Sequence, residues 1–318
     1  MRAVWWKEFG GPEVLLPGAA PDPVPGPGQA LIEVAYANIT FVETQLRAGT
    51  GPFRAEPPMI PGNGVGGVVA AVGPGVPETL VGTRVVGSTG GSGGYAERAT
   101  VDAAALVEVP DGVRLDDAVA LLADGRTAVL LVRSVGLRPG ERVLVEAAAG
   151  GVGTLLVQLA RNAGARVVGA AGGARKTEVV RSLGADLAVD YGAPDWTSRV
   201  RAAVGAVDIV FDGVGGAIAS SAFDLLDRGG RMCSFGLASG AWADLSKEAA
   251  DARGVRLVSI PRPTPAEARE LTADALAEAV AGRLRPVIGQ RFPLERAAEA
   301  HAAIEARSTV GKTLLDLS

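Results

Sequence analysis

A glycine-rich segment, Ala147–Gly153, holds the residues whose types and spacing best suit a definite chemistry. It follows an apolar run, Arg142–Val145, which predicts a strand, and it leads into a helical pattern that continues to Ala160. A strand, a glycine turn and a helix together present backbone N–H groups and a helix N-terminus to a pyrophosphate. The residues predicted to bind the pyrophosphate of a dinucleotide are Gly150, Gly151, Val152 and Gly153.

The residues beyond this turn indicate which dinucleotide is bound. A second predicted strand, Ala165–Ala170, closes a βαβ unit of about 30 residues. An NAD site usually carries Asp or Glu about 20 residues past the glycines. The segment Gly169–Lys176 has no carboxylate and ends in Arg175 and Lys176, cations that pair with a 2′-phosphate. We therefore expect NADPH; the alternative is that both cations are solvated residues at a helix start.

Composition restricts the classes of protein to which the chain can belong. Its 318 residues suffice for two domains, and 48% hydrophobic with 21% charged residues suits a globular enzyme. A net charge of −4 gives no electrostatic footprint for nucleic acid. Apolar runs are interrupted before the roughly 18 residues of a membrane span, and the first residues lack a signal-peptide core. We expect a cytoplasmic protein with neither nucleic-acid nor membrane partners.

The chain has one cysteine, Cys233, and one histidine, His301. This inventory allows neither a disulfide within the chain nor a Cys/His cluster for zinc, so no metal site is predicted. Cys233 lies in a strand-like run and is predicted to be a small buried hydrophobe. His301 lies in a helical pattern and is interpreted as a packing or surface residue.

The order of predicted elements divides the chain. Short strands separated by glycine and proline turns predict a barrel-like β domain at the start, with Pro17–Gly28 as a loop. Its predicted strands are Ala3–Trp6, Ala30–Ala35, Gly64–Gly73, Thr83–Gly87 and Tyr95–Val101. Two helices, Asp116–Leu122 and Thr127–Val135, follow.

From Arg142 strands alternate with helices, which predicts a doubly wound parallel sheet. The predicted strands are 142–146, 166–170, 186–189, 207–211, 231–235 and 255–259. The tail from Ala266 should contain two helices, a break near Pro286 and a last strand, Lys312–Leu317, and should return to the first domain.

These motifs, taken in order, resemble the medium-chain dehydrogenase/reductase superfamily, and within it the zinc-independent NADPH:quinone oxidoreductases of the zeta-crystallin-like branch. The segments that carry the resemblance are Phe9–Leu15, Arg47–Gly49, Ile60–Gly62, Gly94–Glu97, Ala147–Gly153, Asp212–Gly216 and Gly311–Lys312. The resemblance implies an α/β fold with a Rossmann sheet and a GroES-like β-barrel domain. It implies a GroES-like catalytic domain over 1–120, a Rossmann NADPH-binding domain over 121–262 and a returning segment over 263–318. A homodimer is also implied, through the strand at 255–260.

The resemblance also implies roles for individual residues. Lys176, Tyr191 and Arg307 match contacts to the NADPH 2′-phosphate, with Gly172 in the loop before Lys176. The alternatives are loop packing for Tyr191 and a surface salt bridge for Arg307. The positions that match the lining of the nicotinamide half are Thr127, Gly213, Phe235 and Gly236.

The sequence departs from the family where the substrate would bind. Thr40 stands where the family usually has asparagine, Gln45 where close quinone reductases often have tyrosine, and Gly64 replaces a common acidic residue. Thr40 and Gln45 are nevertheless the predicted catalytic residues, as polar groups near the acceptor. The alternative is that both only satisfy local backbone groups.

The predicted reaction is hydride transfer from NADPH to a quinone or related conjugated carbonyl, both small molecules. A quinone delocalises the resulting charge itself, so a hydroxyl such as that of Thr40, or solvent, suffices as proton source. Two alternatives stay open: reduction of the carbon–carbon double bond of a 2-alkenal or enone, and a cofactor-binding protein with little reductase activity.

Overall fold

The computed structural model describes residues 1–51 and 55–318 and divides them into two compact units. Unit 1 comprises Met1–Arg126 with Pro263–Ser318, and unit 2 comprises Thr127–Arg262. Among the helices of these described residues, none combines the length and the apolar composition needed to cross a membrane.

The described residues form strands and helices whose bounds locate every residue of the site. The strands are β1 (Arg2–Trp6), β2 (Leu15–Ala19), β3 (Gln29–Ile39), β4 (Gly64–Val72), β5 (Arg84–Ser88), β6 (Arg98–Asp102), β7 (Val107–Glu108), β8 (Arg142–Val145), β9 (Arg166–Ala171), β10 (Leu187–Asp190), β11 (Val207–Asp212), β12 (Leu226–Ser234), β13 (Arg256–Leu257), β14 (Ile288–Pro293) and β15 (Lys312–Asp316). The helices are α1 (Phe41–Arg47), α2 (Leu115–Val135), α3 (Gly151–Asn162), α4 (Ala174–Ser182), α5 (Trp196–Val204), α6 (Gly216–Phe223), α7 (Lys247–Arg253), α8 (Pro265–Val280) and α9 (Ala297–Glu305).

Unit 1 is built on a mixed sheet in the order β14-β15-β3-β4-β5-β7, with β6 also paired to β3. The long strand β3 holds this sheet together, because β15, β4 and β6 all pair with it antiparallel. Its core includes the fully buried side chains of Ile32 and Tyr95. Among the described strands the path is open from β14 to β7, so the sheet is mixed and its closure into a barrel stays a prediction.

The prediction that Pro17–Gly28 is a loop is wrong at its start. Leu15–Ala19 forms β2, which pairs antiparallel with β1, and Pro17 lies opposite Val4. Proline has no N–H to donate, and it is tolerated at this position because β1 and β2 form a separate two-stranded sheet with open edges. The loop itself begins at Ala20.

Unit 2 is a six-stranded sheet in which every pairing is parallel, in the order β10-β9-β8-β11-β12-β13. Counted from β8, this is the strand order 3-2-1-4-5-6 of a doubly wound dinucleotide-binding fold. The predicted strands are present, although the last one contracts to Arg256–Leu257. Cys233 is fully buried in β12, as predicted, and burial followed by the charge of Asp212 raises its pKa to about 11.

The two helices predicted at Asp116–Leu122 and Thr127–Val135 are one helix, α2. Gly125, which suggested a break, lies inside this helix and permits close packing. A Cβ at Gly125 would lie 2.9 Å from the Cβ of Ala275 in α8. Tertiary packing therefore overrides the low helix propensity of glycine at this point.

Candidate active site

The glycine turn after β8 adopts the geometry that its sequence predicted. Ala147 takes a left-handed conformation with φ of 46°, and the chain then turns into α3 with Gly150 as its N-cap. A Cβ on Gly153 would lie 2.2 Å from the carbonyl oxygen of Ala147, which is closer than any real contact. A side chain at Gly153 is therefore excluded by the backbone of the turn itself.

The N-terminus of α3 is suited to an anion. Gly150 provides no side-chain cap, and the first turn contains no acidic residue. The first N–H groups of a helix lack partners within the helix, and the helix dipole favours negative charge there. The cradle of small residues from Ala147 to Gly153 thus fits the pyrophosphate of a dinucleotide.

Gly172 and Tyr191 are brought together at the ends of two neighbouring strands. Tyr191 directly follows β10, and its N–H donates to the carbonyl of Ala171 at 3.2 Å. A Cβ on Gly172 would lie 3.3 Å from Cε2 of Tyr191, so the ring packs on the glycine. Lys176 lies in the first turn of α4, which contains no acidic residue. These residues lie at the carboxyl edge of the sheet, where ligands of such folds bind.

Gly213, Phe235 and Gly236 form a second group at this edge. The N–H of Phe235 donates to the carbonyl of Asp212 at 2.8 Å. A Cβ on Gly213 would approach the Phe235 ring to 2.9 Å, and one on Gly236 would lie 2.9 Å from the carbonyl oxygen of Gly213. The absence of side chains lets the two loops meet face to face.

Glu146 and Asp212 are a buried carboxyl pair that sequence reasoning missed. They follow the paired residues Val145 and Phe211 on neighbouring strands, and both are 0% exposed. Oδ1 of Asp212 accepts the N–H groups of Val214 and Gly215 at 2.9 and 2.7 Å. Among the described residues, Oδ2 of Asp212 and both carboxyl oxygens of Glu146 meet no hydrogen-bond donor. Burial, then Asp212, raises the pKa of Glu146 well above its ordinary range.

Unit 1 holds Thr40 and Gln45, the predicted catalytic residues. Thr40 is the N-cap of α1, and Gln45 lies half-buried one turn further on. The hydroxyl of Thr40 donates to Oε2 of Glu43 at 2.9 Å, and its N–H donates to the same oxygen at 2.6 Å. Oε1 of Glu43 accepts the N–H of Asn63 at 3.1 Å. The sequence pattern of threonine followed three residues later by glutamate is the signal that predicts this contact.

Two further buried polar pairs lie in the same unit. Nζ of Lys312 lies 2.9 Å from Oδ1 of Asp124, and Lys312 also acts on the charge of Glu43. Oη of Tyr95 lies 2.9 Å from Nε2 of His301. The surface alternative for His301 is wrong: the residue is 1% exposed, and burial lowers its pKa to about 3.

Thr127 and Arg307 complete the predicted set. Thr127 lies half-buried on α2, and Arg307 follows α9 with φ of 55°. The guanidinium of Arg307 lies 4.3 Å from the centre of the Phe41 ring, beside Thr40 in sequence. The predicted 2′-phosphate contact of Arg307 stays a prediction, as do the nicotinamide contacts of Thr127.

The structure thus assembles the predicted residues in two sets. In unit 2 it brings together the turn Gly150–Gly153, the pair Gly172 and Tyr191, and the group Gly213, Phe235 and Gly236; in unit 1 it brings Thr40 onto Glu43. Within residues 1–51 and 55–318, no three His, Cys, Asp or Glu side chains form a group that could hold a metal ion.

Known proteins with similar sequences and structures cover this whole chain. Residues 26–111 match the alcohol dehydrogenase GroES-like domain, and residues 183–315 match the zinc-binding dehydrogenase family. The chain is 33% identical over 320 residues to quinone oxidoreductase of Homo sapiens, which covers 99% of this chain and 97% of that protein. It is 33% identical over 332 residues to 2-haloacrylate reductase of Burkholderia sp., covering 99% and 98%. Escherichia coli quinone oxidoreductase, solved in complex with NADPH, matches with a TM-score of 0.92 at 28% identity, over 99% of this chain and 100% of that chain.

Proposed function

The chain belongs to the quinone oxidoreductase family of the medium-chain dehydrogenase/reductase superfamily, and on this premise we propose that it transfers hydride from NADPH to a quinone or a related conjugated carbonyl. It is an NADPH-dependent oxidoreductase. The observation that carries the proposal is the glycine turn, in which the Ala147 carbonyl leaves no room for a side chain at Gly153.

The residues of unit 2 fit the parts of NADPH. Gly150, Gly151, Val152 and Gly153 offer backbone N–H groups and space to the pyrophosphate. We propose that Lys176 and Tyr191, beside Gly172, bind the 2′-phosphate, with Arg307 as a further cation, and that Thr127 and the group Gly213, Phe235 and Gly236 line the nicotinamide.

When bound, the reduced nicotinamide supplies a hydride, which carries two electrons. The chain must then orient the acceptor and provide a proton to its oxygen. We assign this role to Thr40, whose hydroxyl is half-buried at the start of α1, with Gln45 as a second polar contact for the acceptor. No metal is required in this scheme, so we propose that the enzyme works without zinc.

We further propose that the enzyme is a cytoplasmic homodimer, and that unit 1 closes into the barrel that its GroES-like match implies. The terminal strand β13 pairs only with β12 among the described strands, which leaves an edge for a second copy. Light scattering tests this, because a monomeric mass removes the dimer from the proposal.

A second candidate function is reduction of an activated carbon–carbon double bond. It is favoured by the full-length similarity to a protein named 2-haloacrylate reductase, whose substrate carries a double bond conjugated to a carboxylate. The cofactor site would be the same, and the acceptor would present its β-carbon to the nicotinamide.

Oxidation of NADPH and NADH should be followed with the purified protein and a panel of quinones, 2-alkenals, enones and 2-haloacrylates. Turnover of quinones with NADPH preferred supports the main proposal. Turnover of the double-bond substrates alone moves the function to the second candidate. Stabilisation by NADPH without turnover of any acceptor means a cofactor-binding protein and contradicts both reductase proposals.

A further inference from the structure

Glu43 is a buried carboxyl group that lies directly behind the Thr40 hydroxyl. Its side chain accepts three hydrogen bonds, from the N–H and O–H of Thr40 and from the N–H of Asn63. Only 7% of the residue is exposed. The arrangement would be an ordinary helix cap if local backbone satisfaction were its whole role.

The chain contains a matched example of that ordinary cap. At the start of α8, the N–H and O–H of Thr264 donate to Oε2 of Glu267 at 2.7 and 2.8 Å, as Thr40 does to Glu43. Glu267, however, is exposed. Its hydrogen bonds with Thr264 lower the pKa of Glu267, so that carboxyl group is ionised and serves the helix.

Burial reverses the outcome for Glu43. Desolvation raises its pKa although the same kinds of hydrogen bonds oppose the shift. A buried carboxyl group that retains its proton closer to neutral pH is suited to proton transfer. The Oγ1–Oε2 separation of 2.9 Å serves a hydrogen bond in either direction, so a protonated Glu43 can donate to Thr40.

We propose that Glu43 is the proton reservoir for Thr40, which passes its hydroxyl proton to the oxygen of the acceptor as hydride arrives. This inference rests on the reductase function proposed above. Glu43 acts through Thr40 and is therefore a positioning residue and proton source, without contact to the acceptor.

The proposed step balances in atoms and charge. The hydride brings two electrons to the acceptor, and the developing negative charge lies on the acceptor oxygen. The O–H bond of Thr40 breaks as a new O–H bond forms on that oxygen, while the carboxyl proton of Glu43 moves to Oγ1 of Thr40. Glu43 is left as a carboxylate and regains a proton from water after product release.

The charged and titratable groups around Glu43 come from four elements. They are Lys312 on β15, which lowers the pKa of Glu43, Asp124 on α2, which pairs with Lys312, Tyr95 before β6, and Arg47 on α1, which acts on Tyr95. Burial, followed by the charge of Glu43, raises the pKa of Tyr95 well above its ordinary range. Tyr95 therefore stays neutral and does not compete for the proton.

The test compares wild type with Glu43→Gln over a range of pH, using NADPH with menadione or cyclohexenone as acceptor. In wild type, kcat should be high at low pH and fall as pH rises through the pKa of Glu43. In Glu43→Gln, kcat should be about ten- to a hundredfold lower at low pH and should lose this dependence. The loss should be larger with cyclohexenone, because an enolate delocalises charge less than a quinol anion.

Glu267→Gln is the matched control, since it changes the same cap at an exposed site, and it should leave kcat and its pH profile unchanged. Glu43→Asp, which keeps a titrating carboxyl group, should restore part of the pH dependence, and it replaces Glu43→Gln if that variant does not fold. Wild-type turnover with an unchanged profile in the Glu43 variants overturns the reservoir and leaves the proposed function standing. Absence of wild-type turnover overturns both.

Discussion

Lys312 donates through Nζ to Oδ1 of Asp124 at 2.9 Å, and the two side chains are only 4% and 12% exposed. Removing one partner leaves the other charge buried without compensation. Lys312→Met should therefore lower the free energy of unfolding by about 3 to 5 kcal/mol. Urea unfolding at neutral pH measures this change.

The double variant Lys312→Met with Asp124→Leu provides the control for that prediction. It removes both charges and should recover much of the loss, because a buried pair replaced by apolar groups is often neutral. A double variant as unstable as the sum of the two single variants would show that packing, rather than charge pairing, is measured.

Gly153→Ala tests the cradle for the pyrophosphate. Its new Cβ would lie 2.2 Å from the Ala147 carbonyl oxygen, and that oxygen belongs to backbone that cannot yield cheaply. Overpacking of this kind costs about 1–3 kcal/mol, and the displaced turn should weaken NADPH binding at least about tenfold. Gly150→Ala is the graded control, since its Cβ would lie 3.2 Å from the same oxygen. NADPH titration by fluorescence and thermal unfolding should rank the two; equal effects contradict the steric argument.

Lys176→Ala tests the preference for NADPH. Loss of a charge-assisted hydrogen bond of about 1.5–3 kcal/mol should raise the KM for NADPH roughly ten- to a hundredfold. The KM for NADH should stay unchanged, because NADH has no 2′-phosphate. Arg175→Ala, at the exposed neighbouring position, is the control and should change neither value strongly. If Lys176→Ala weakens both cofactors equally, Lys176 only supports the start of α4.

The elements that the sequence predicted correctly are those with local signals. The apolar runs from Arg142 to Phe235 and the glycines between them specify the parallel sheet, because each strand is buried along its whole length. The break predicted at Gly125 failed because the neighbour that allows glycine there, Ala275, is distant in sequence.

The candidate site divides in the same way. Backbone cradles such as Gly150–Gly153 follow from residue size and can be predicted from sequence. The buried carboxyl groups of Glu43, Glu146 and Asp212 could not, because their chemistry depends on desolvation by residues far apart in the chain. Thr40 and Glu43 have the same local pattern as Thr264 and Glu267, and only the folded structure separates a buried pair from an exposed one.

Glu146→Gln should stabilise the protein at neutral pH. Because the pKa of Glu146 is raised in the folded state, the folded protein retains a proton that the unfolded chain has lost above pH ~4.5. Wild-type stability from this group therefore falls as pH rises from that value to the folded pKa. A glutamine does not titrate and can donate to Oδ2 of Asp212. Urea unfolding should show the advantage of the variant growing over this window; a constant difference down to pH ~4 would remove the titration from the explanation.

His301 should make the fold sensitive to acid. Its pKa of about 3 in the folded state lies below the ordinary value of 6.5, so the unfolded state binds more protons between these two values. As pH falls through this window, stability should be lost at up to about 1.4 kcal/mol per pH unit from this group. His301→Gln does not titrate but still offers Oη of Tyr95 a polar partner, so its stability should depend less steeply on pH between 6.5 and 4. Urea unfolding at several pH values compares the two slopes. Parallel slopes would assign the acid sensitivity to other groups, whereas a flatter slope for the variant makes the buried imidazole beside Tyr95 the acid-labile point of unit 1.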